Sequence, residues 1–567
     1  MKRGPEKPPP RATLFSLAVL AVRRVGARSL DTIAQAILQR TLAATPSRVL
    51  FAPETLLASD SKVAADIYAG VFHLAGETVE TGGRSPFSVA PPSAQWARTL
   101  HGFSWLVHLE ANASELSSTN ARALVEEWLA DKSGRSALAN APEVTAQRVT
   151  AWLIGAPILL SGADAAFNER FMRALGRQIR RLERGVSAVP PGVSKVEVAA
   201  TLALAGAVIA GQGRLQRTGL SLLAEVLKTE VLPDGGHASR SPEAVVDVLC
   251  ALIPVREALV RRQVPVPEAL STAIDKMMPM VRFFALSKTG LAAFHGARPV
   301  APSRLAALMA YDDVRGQPSA NARYSFFQRM DGGTARVLID TGPPPPPSHA
   351  GRACASALAF EFTHEGEPII VNCGALDAAR PSWARAARAT AAHSTLTLAD
   401  RSSARILNLW PLSAALGPLL YGGPRTVDVA REPSKVRARH DGYQDQFGII
   451  HERSITLTED GLWLQGIDRI LGADKVDAIP FAVRFHLAPG IRVRLDKARK
   501  TASLRLRSGA IWLFVVDEGP DLSVEDSVVL AADTTLRRTA QLVIPSDTLT
   551  HDTIRWHIAR HAAPLGG

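Results

Sequence analysis

Ala335-Arg336-Val337-Leu338-Ile339-Asp340 is the stretch on which the fold turns. Its side chains alternate with period two, so Ala335, Val337 and Ile339 share one face, as a strand with one face turned to a core requires. The same rhythm returns in Ser394-Thr395-Leu396-Thr397-Leu398, Ser454-Ile455-Thr456-Leu457-Thr458, Leu504-Arg505-Leu506-Arg507 and Ile511-Trp512-Leu513-Phe514-Val515-Val516. Many antiparallel strands in about 250 residues predict a β-sandwich. The proline run Pro343 to Pro347 falls between two strands and reads as a loop rather than a domain linker.

Upstream the rhythm differs. From Leu30 to about Leu291 apolar residues recur at helical spacing, as in Asn120-Ala121-Arg122-Ala123-Leu124-Val125-Glu126-Glu127-Trp128-Leu129 and Leu220-Ser221-Leu222-Leu223-Ala224-Glu225-Val226-Leu227. Pro190-Pro191-Gly192, Pro233-Asp234-Gly235-Gly236 and Pro265-Val266-Pro267 punctuate this half at intervals suited to helix hairpins. No fixed-period repeat marks a solenoid. Helices followed by strands predict an α+β multidomain chain with its boundary near residue 315. The division expected is a basic N-terminal segment over 1–45, a helical domain over 46–315 and a strand domain over 316–567.

The chain has 567 residues, enough for two large domains or three to four of about 150. With 47% hydrophobic and 21% charged residues it is not a mostly disordered chain. Lysine and arginine number 65 against 53 acidic residues, a net charge of +12 that favours an anionic partner. Charge alone leaves nucleic acid, an anionic membrane surface and an acidic polysaccharide open. Nucleic acid is disfavoured because the basic residues are spread along the chain and no reader motif occurs. Cys250, Cys354 and Cys373 form no C-x-x-C pair, which excludes a disulfide scaffold and a zinc ribbon but leaves one bridge, Cys354 to Cys373, open.

Leu14 to Val22 resembles a short signal-peptide core, yet Arg23 and Arg24 follow at once without a small-residue cleavage site. An amphipathic, basic first helix is the favoured reading. The longest apolar run, Val198 to Gly211, holds 14 residues. A membrane span needs about 18 or more, so a buried helix is expected and a transmembrane span is not.

In the helical half, Leu232-Pro233-Asp234-Gly235-Gly236-His237-Ala238-Ser239-Arg240-Ser241-Pro242 follows one helix and precedes the next. It reads as a turn capped by Asp234 or Ser241, and it also sets His237 and Arg240 beside loop backbone as candidate site groups. In His101-Gly102-Phe103-Ser104-Trp105-Leu106-Val107-His108-Leu109 the apolar spacing marks a core seam, with Trp105 a candidate sugar-stacking platform. The strand half carries histidine beside arginine or tyrosine at Arg388 to Thr395, Arg439-His440-Asp441-Gly442-Tyr443, His451-Glu452-Arg453 and Arg484-Phe485-His486. Each histidine alone is ordinary structure. Together they offer acid/base groups with arginines to neutralise a carboxylate. Cys354 with His393 lacks the local signature of a thiol nucleophile, and phosphate-loop, dinucleotide and H-E-x-x-H patterns are absent.

The order of Leu100-His101-Gly102-Phe103-Ser104-Trp105-Leu106, Asp234 to Pro242, Arg388 to Thr395, His440-Asp441-Gly442-Tyr443 and Arg484-Phe485-His486-Leu487 resembles the heparinase II/III family of polysaccharide lyases, from about residue 50 to residue 560. The resemblance implies an incomplete α/α toroid over 46–315, an antiparallel β-sandwich over 316–567 and a substrate cleft between them. It also implies β-elimination on a uronate-containing polysaccharide. That chemistry needs a group to neutralise the C6 carboxylate, a base for the C5 proton and an acid for the departing O4.

Carried over by residue, the resemblance assigns catalysis to His237, His393, Tyr443 and His440, and substrate binding to Arg240, Arg388, Trp105 and Arg453. The match departs at several points. Cys354 stands where a catalytic histidine is expected, and Ala244 where a tyrosine is. Ser356 and Cys373 replace expected zinc ligands, so only His393 remains, and no metal or other cofactor is expected.

Two functions follow. One is a divergent carbon-oxygen lyase acting on an acidic polysaccharide. The other is a catalytically inactive polysaccharide-binding or cell-envelope-associated protein on the same scaffold. The resemblance places either in the cell envelope or periplasm, with the cytoplasm as the alternative in the absence of a convincing signal peptide. Oligomeric state is not legible.

Overall fold

The computed structural model describes residues 11–38, 46–112, 114–288, 290–311, 318–375, 381–472, 478–530 and 535–561. The boundary placed near residue 315 and parts of the 1–45 segment lie outside these residues. Helices run from Arg11–Leu38 to Pro302–Tyr311, interrupted by one short hairpin of Val71–Leu74 with Glu77–Glu80. The alternating sequence of that hairpin is too brief to stand out among helices.

The apolar run singled out in the sequence forms the Val193–Val208 helix, in which every residue from Val198 to Val208 is buried. A helix apolar all round belongs inside a helical array, and no helix among the described residues is long and apolar enough to cross a membrane. Trp96, Trp128, Trp152, Phe103 and Phe171 fill the core around it. Trp128 and Trp152 meet edge to face at 5.6 Å, a preferred geometry for paired rings.

The strand half is two stacked antiparallel sheets. An eight-stranded sheet runs in the order Val427–Glu432, Lys435–Tyr443, Ile449–Leu457, Trp463–Leu471, Thr553–Arg560, Ile511–Glu518, Thr501–Arg505 and Arg492–Leu495. The second sheet runs Ser523–Leu530, Leu536–Asp547, Pro480–Leu487, Glu367–Val371, Phe360–His364, Ala335–Asp340, Phe327–Gly332 and Asn321–Ala322, with Leu396–Leu398 pairing Pro480–Leu487 as a branch. Alternation delivers Trp512, Phe514 and Trp556 from one sheet and Phe360 and Phe485 from the other into a shared core. Phe485 packs on Trp556 at 4.7 Å.

The helical half is joined to this sandwich by polar groups. Asp234 accepts from the backbone of Tyr324 and Ser325 at 2.7 and 2.6 Å and from Ser325 Oγ at 2.8 Å. The two glycines after it permit the approach. A Cβ on Gly235, which sits at φ 86°, would lie 1.8 Å from Lys276 O, and one on Gly236 would lie 1.8 Å from Ser325 Oγ. The loop is a turn, as one reading of the sequence had it, but its polar groups turn outward onto the sandwich rather than cap the next helix. Ser241 makes no side-chain capping bond.

Candidate functional site

Asp340 ends the strand whose sequence decides the fold and stands fully buried where the two halves meet. Arg240 reaches it from the helical half with Nη2, while its other donors go to Ser325 O at 2.9 Å, Phe326 O at 3.1 Å and Pro343 O at 2.6 Å. Its guanidinium lies over the Phe327 ring at 4.9 Å. Ser356 Oγ donates to Asp340 at 2.6 Å, the Gly342 N–H at 3.2 Å, and His295 Nε2 stands 3.1 Å away. Burial alone would raise the Asp340 carboxyl, but the charge of Arg240 and then His295 outweighs it and holds the group well below the carboxylate range. Burial and then the Arg240 charge lower the His295 pKa, with Asp340 opposing them.

Backbone strain gathers here. Arg240, His295, Phe326 and Leu358 all sit at positive φ, between 45 and 60°. Each costs on the order of 1 kcal/mol outside glycine and persists only because surrounding contacts fix it.

His237 lies beside this centre, its Nε2 3.4 Å from Glu230 Oε2, which also receives His349 Nε2 at 2.8 Å. Burial would raise Glu230; the two imidazoles outweigh it and hold the carboxyl down to about 2. His237 Nδ1 is engaged with Ser239 Oγ at 2.7 Å.

His440 packs against Tyr443 at 5.6 Å and His451 at 5.3 Å. His393 donates Nδ1–H to Ala389 O at 2.8 Å, and burial lowers its pKa to about 4. Burial and then His451 take His440 far below the usual imidazole value. Tyr443 is buried in the sandwich core and donates its hydroxyl to Leu396 O at 2.9 Å; burial pushes its pKa above the ordinary phenol value.

The expected substrate-binding groups are spent elsewhere. Trp105 is corrected from platform to core: it is 3% exposed, stacks on Phe103 at 5.0 Å and meets Phe72 edge to face at 5.7 Å, so no ring face is open to a sugar. The Arg388 guanidinium closes on the backbone oxygens of Ala353 at 2.7 Å, Pro418 at 2.5 Å and Ala350 at 3.0 Å. Arg453 pairs with buried Asp468 at 2.8 Å and ties Leu358 O and Ser394 O inside the sandwich. Of the residues expected at the site, Arg240 is the one that pairs with Asp340, and His237 lies on the same loop as Arg240. Sequence reading missed Asp340 and His295 as site groups, and also Glu230 and His349, because no local motif links partners 45 to 119 residues apart.

A crevice beside Asp340 is lined by His295, Cys354, Ser356, Ser403 and Pro424. Burial raises the Cys354 thiol to about 11, which keeps it protonated and poorly nucleophilic. All three cysteines are free, so no Cys354 to Cys373 bridge forms.

Residues 314–557 match a family model described as Heparinase II/III-like, C-terminal. Over 511 residues the chain is 33% identical to FtsZ-localized protein C of Caulobacter vibrioides (strain NA1000 / CB15N), covering 87% of each chain. The chain belongs to the heparinase II/III-like family. Among solved structures of this fold, Heparinase III superposes with a TM-score of 0.68 at 13% identity, over 97% of this chain and 91% of that one. A mutant of heparan sulfate lyase HepC from Pedobacter heparinus superposes with a TM-score of 0.60 at 14% identity, over 96% and 88%. These likenesses establish the helical toroid and sandwich.

The residues at the positions of the family's zinc site do not fit the ion. Burial raises the Cys373 thiol to about 12, and its sulfur lies 3.5 Å from His486 Nδ1. Both His486 nitrogens are occupied, by Ser527 Oγ at 2.7 Å and Ala391 O at 3.0 Å. Among the described residues no group of three His, Cys, Asp or Glu side chains stands where it would hold a metal ion.

Proposed function

We propose that this heparinase II/III-like chain is a non-catalytic docking protein that has turned the family's elimination centre into a clasp between toroid and sandwich. One observation carries the reading: Asp340 and Arg240 are buried and paired with each other, and Ser356 and His295 stand on the same carboxylate. Elimination needs a cation facing the substrate carboxylate and an open acid/base pair. Here Arg240 is neutralised by Asp340, Tyr443 donates to a backbone oxygen inside the sandwich core, and Ala244 is buried where a tyrosine is expected.

Of the two functions expected from sequence, the geometry therefore favours the inactive, envelope-associated scaffold over the carbon-oxygen lyase. An acidic polysaccharide is not turned over on this reading. The relative that matches 87% of the chain is named for localisation with FtsZ, and we infer the same destination for this protein. Sedimentation of the full chain with FtsZ filaments of its own organism tests it. The protein is expected in the pellet when FtsZ is polymerised and in the supernatant when it is not. Protein left in the supernatant under both conditions overturns the reading.

A further inference from the structure

The two sheets of the sandwich end side by side at one rim. Arg492–Leu495 closes the eight-stranded sheet and Ser523–Leu530 closes the other, and no further strand among the described residues pairs with either. The two strands are neighbours in space, joined where Leu522 N–H donates to Arg499 O at 2.7 Å and Lys500 Nζ stands 3.4 Å from Asp521. Cys373 O takes Leu530 N–H at 2.9 Å; for the rest of the two outer edges no backbone partner lies among the described residues. An unpaired edge is a template for another strand.

The sequence sets opposite charges on these edges. Arg492 to Arg507 holds seven basic residues and one acid, Asp496, whereas Asp517 to Asp526 holds five acids and no base. Arg492 stands directly across from Arg505, an opposition of like charges that costs stability. Among the described residues Arg492, Arg494, Arg505 and Asp526 have no ion-pair partner. Register fixes which side chains would meet a neighbour. Val493 pairs with the core residue Leu504, so Val493 and Leu495 turn toward the space between the sheets and Arg492 and Arg494 away from it. Val524 pairs with the core residue Leu542, so Val524 turns inward and Glu525 outward. Val524 is nevertheless 41% exposed, and Val493 and Leu495 are only half-buried. Glu525 uses Oε2 alone toward Arg484 at 3.2 Å and Gln541 at 3.3 Å, so Oε1 is available.

We propose that the chain forms a two-fold homodimer through this rim, with Arg492–Leu495 of each copy adding to Ser523–Leu530 of the other. A two-fold axis along the strands sets the basic edge of one copy beside the acidic edge of the next, and does so twice. The inward and outward faces stay matched. Arg492 and Arg494 flank Glu525 of the partner subunit on the outside, and Val493 and Leu495 pack beside Val524 of the partner subunit on the inside. Pairing like edge with like would instead oppose arginine to arginine and acid to acid. Charges on an edge strand commonly block pairing; here they block the like pairing and favour the unlike one. An acidic peptide could cover the basic edge but would leave the acidic edge and Val524 in water. The proposal does not rest on the FtsZ reading.

Sedimentation velocity of the full chain, at concentrations up to tens of micromolar, reads the mass. A species of twice the 60.5 kDa chain mass is expected. Arg492→Glu/Arg494→Glu, which reverses the charges at both contacts, is expected to raise the dimer dissociation constant roughly a hundredfold. Glu525→Lys and Val524→Lys should weaken the dimer as well. Near-ultraviolet circular dichroism matching the parent confirms that each variant is folded. Mixing Arg492→Glu/Arg494→Glu with Glu525→Lys sets opposite charges against each other again at both contacts, so a heterodimer is expected where each variant alone is monomeric. A monomer at every concentration overturns the proposal. So does a dimer that Arg492→Glu/Arg494→Glu or Val524→Lys leaves intact, or the failure of the mixed folded variants to associate.

Discussion

Arg240 and Asp340 form a fully buried ion pair that crosses from the helical half to the sandwich, and every remaining donor of the arginine that is described bonds sandwich backbone. A cation arranged in this way, with four of its five N–H groups bonded to the sandwich, positions two domains. Removing one partner strands the other charge in a dry interior. Arg240→Ala is therefore expected to destabilise the protein by about 3–5 kcal/mol. Arg240→Lys, which keeps the charge but loses the fork, should recover only part of this. Urea unfolding of the variants checks both.

Acid should weaken the fold before the carboxylates titrate. His393 and His486 have pKa values lowered by burial to about 4 and about 3, below the ordinary imidazole value of 6.5. Between pH 6.5 and 4 the unfolded chain binds protons that the native one refuses, so stability rises with pH across this window and is lost as pH falls. Each ring contributes up to roughly 3 kcal/mol. Glu230, held at about 2, adds a loss below the usual carboxylate value of 4.5. Thermal midpoints across this range should drop steadily from pH 6.5 downward, and His486→Gln should flatten the slope.

Glu361 has the opposite sign. Burial pushes it up to about 7, although Ala293 N–H and Asn372 N–H and Nδ2 donate to it. Its contribution is complete below pH 4.5 and is lost as pH rises through 7. Glu361→Gln keeps an acceptor without a charge to bury. At pH 8 it should be more stable than the parent by roughly 1–3 kcal/mol, and near pH 4 no more stable. Denaturant midpoints at the two pH values decide this.

Cys354 and Cys373 should resist alkylation in the native protein. Both thiols are buried, and burial raises them to about 11 and about 12. Iodoacetamide at pH 8 is expected to label them only in urea, read by mass spectrometry. Rapid native labelling of Cys354 would show that its crevice opens.

The switch from helical to strand rhythm was legible because it is set by local periodicity, as were the buried Val193–Val208 helix and the strands at Ala335–Asp340 and Ile511–Glu518. The family likeness was legible in motif order. The use of the motifs was not. Trp105 stands on a seam whose neighbours already marked it as core, and its aromatic character suggested a platform only because exposure cannot be read from spacing. Arg388 and Arg453 bond backbone oxygens, partners that sequence does not display. Asp340 looked like the polar end of a strand, and its meeting with Arg240 depends on how two domains dock.

The central claim is that the family's elimination centre here holds two domains together and no longer acts on uronates. Its most direct test is the absorbance of a 4,5-unsaturated uronate when the full chain is mixed with heparan sulfate, heparin, alginate, hyaluronan and bacterial exopolysaccharides, with an active lyase run in parallel. No rise above the protein-free rate is expected on any polymer. A rise on one of them that His393→Ala or His237→Ala abolishes, while the fold is retained, would contradict the account and restore the lyase.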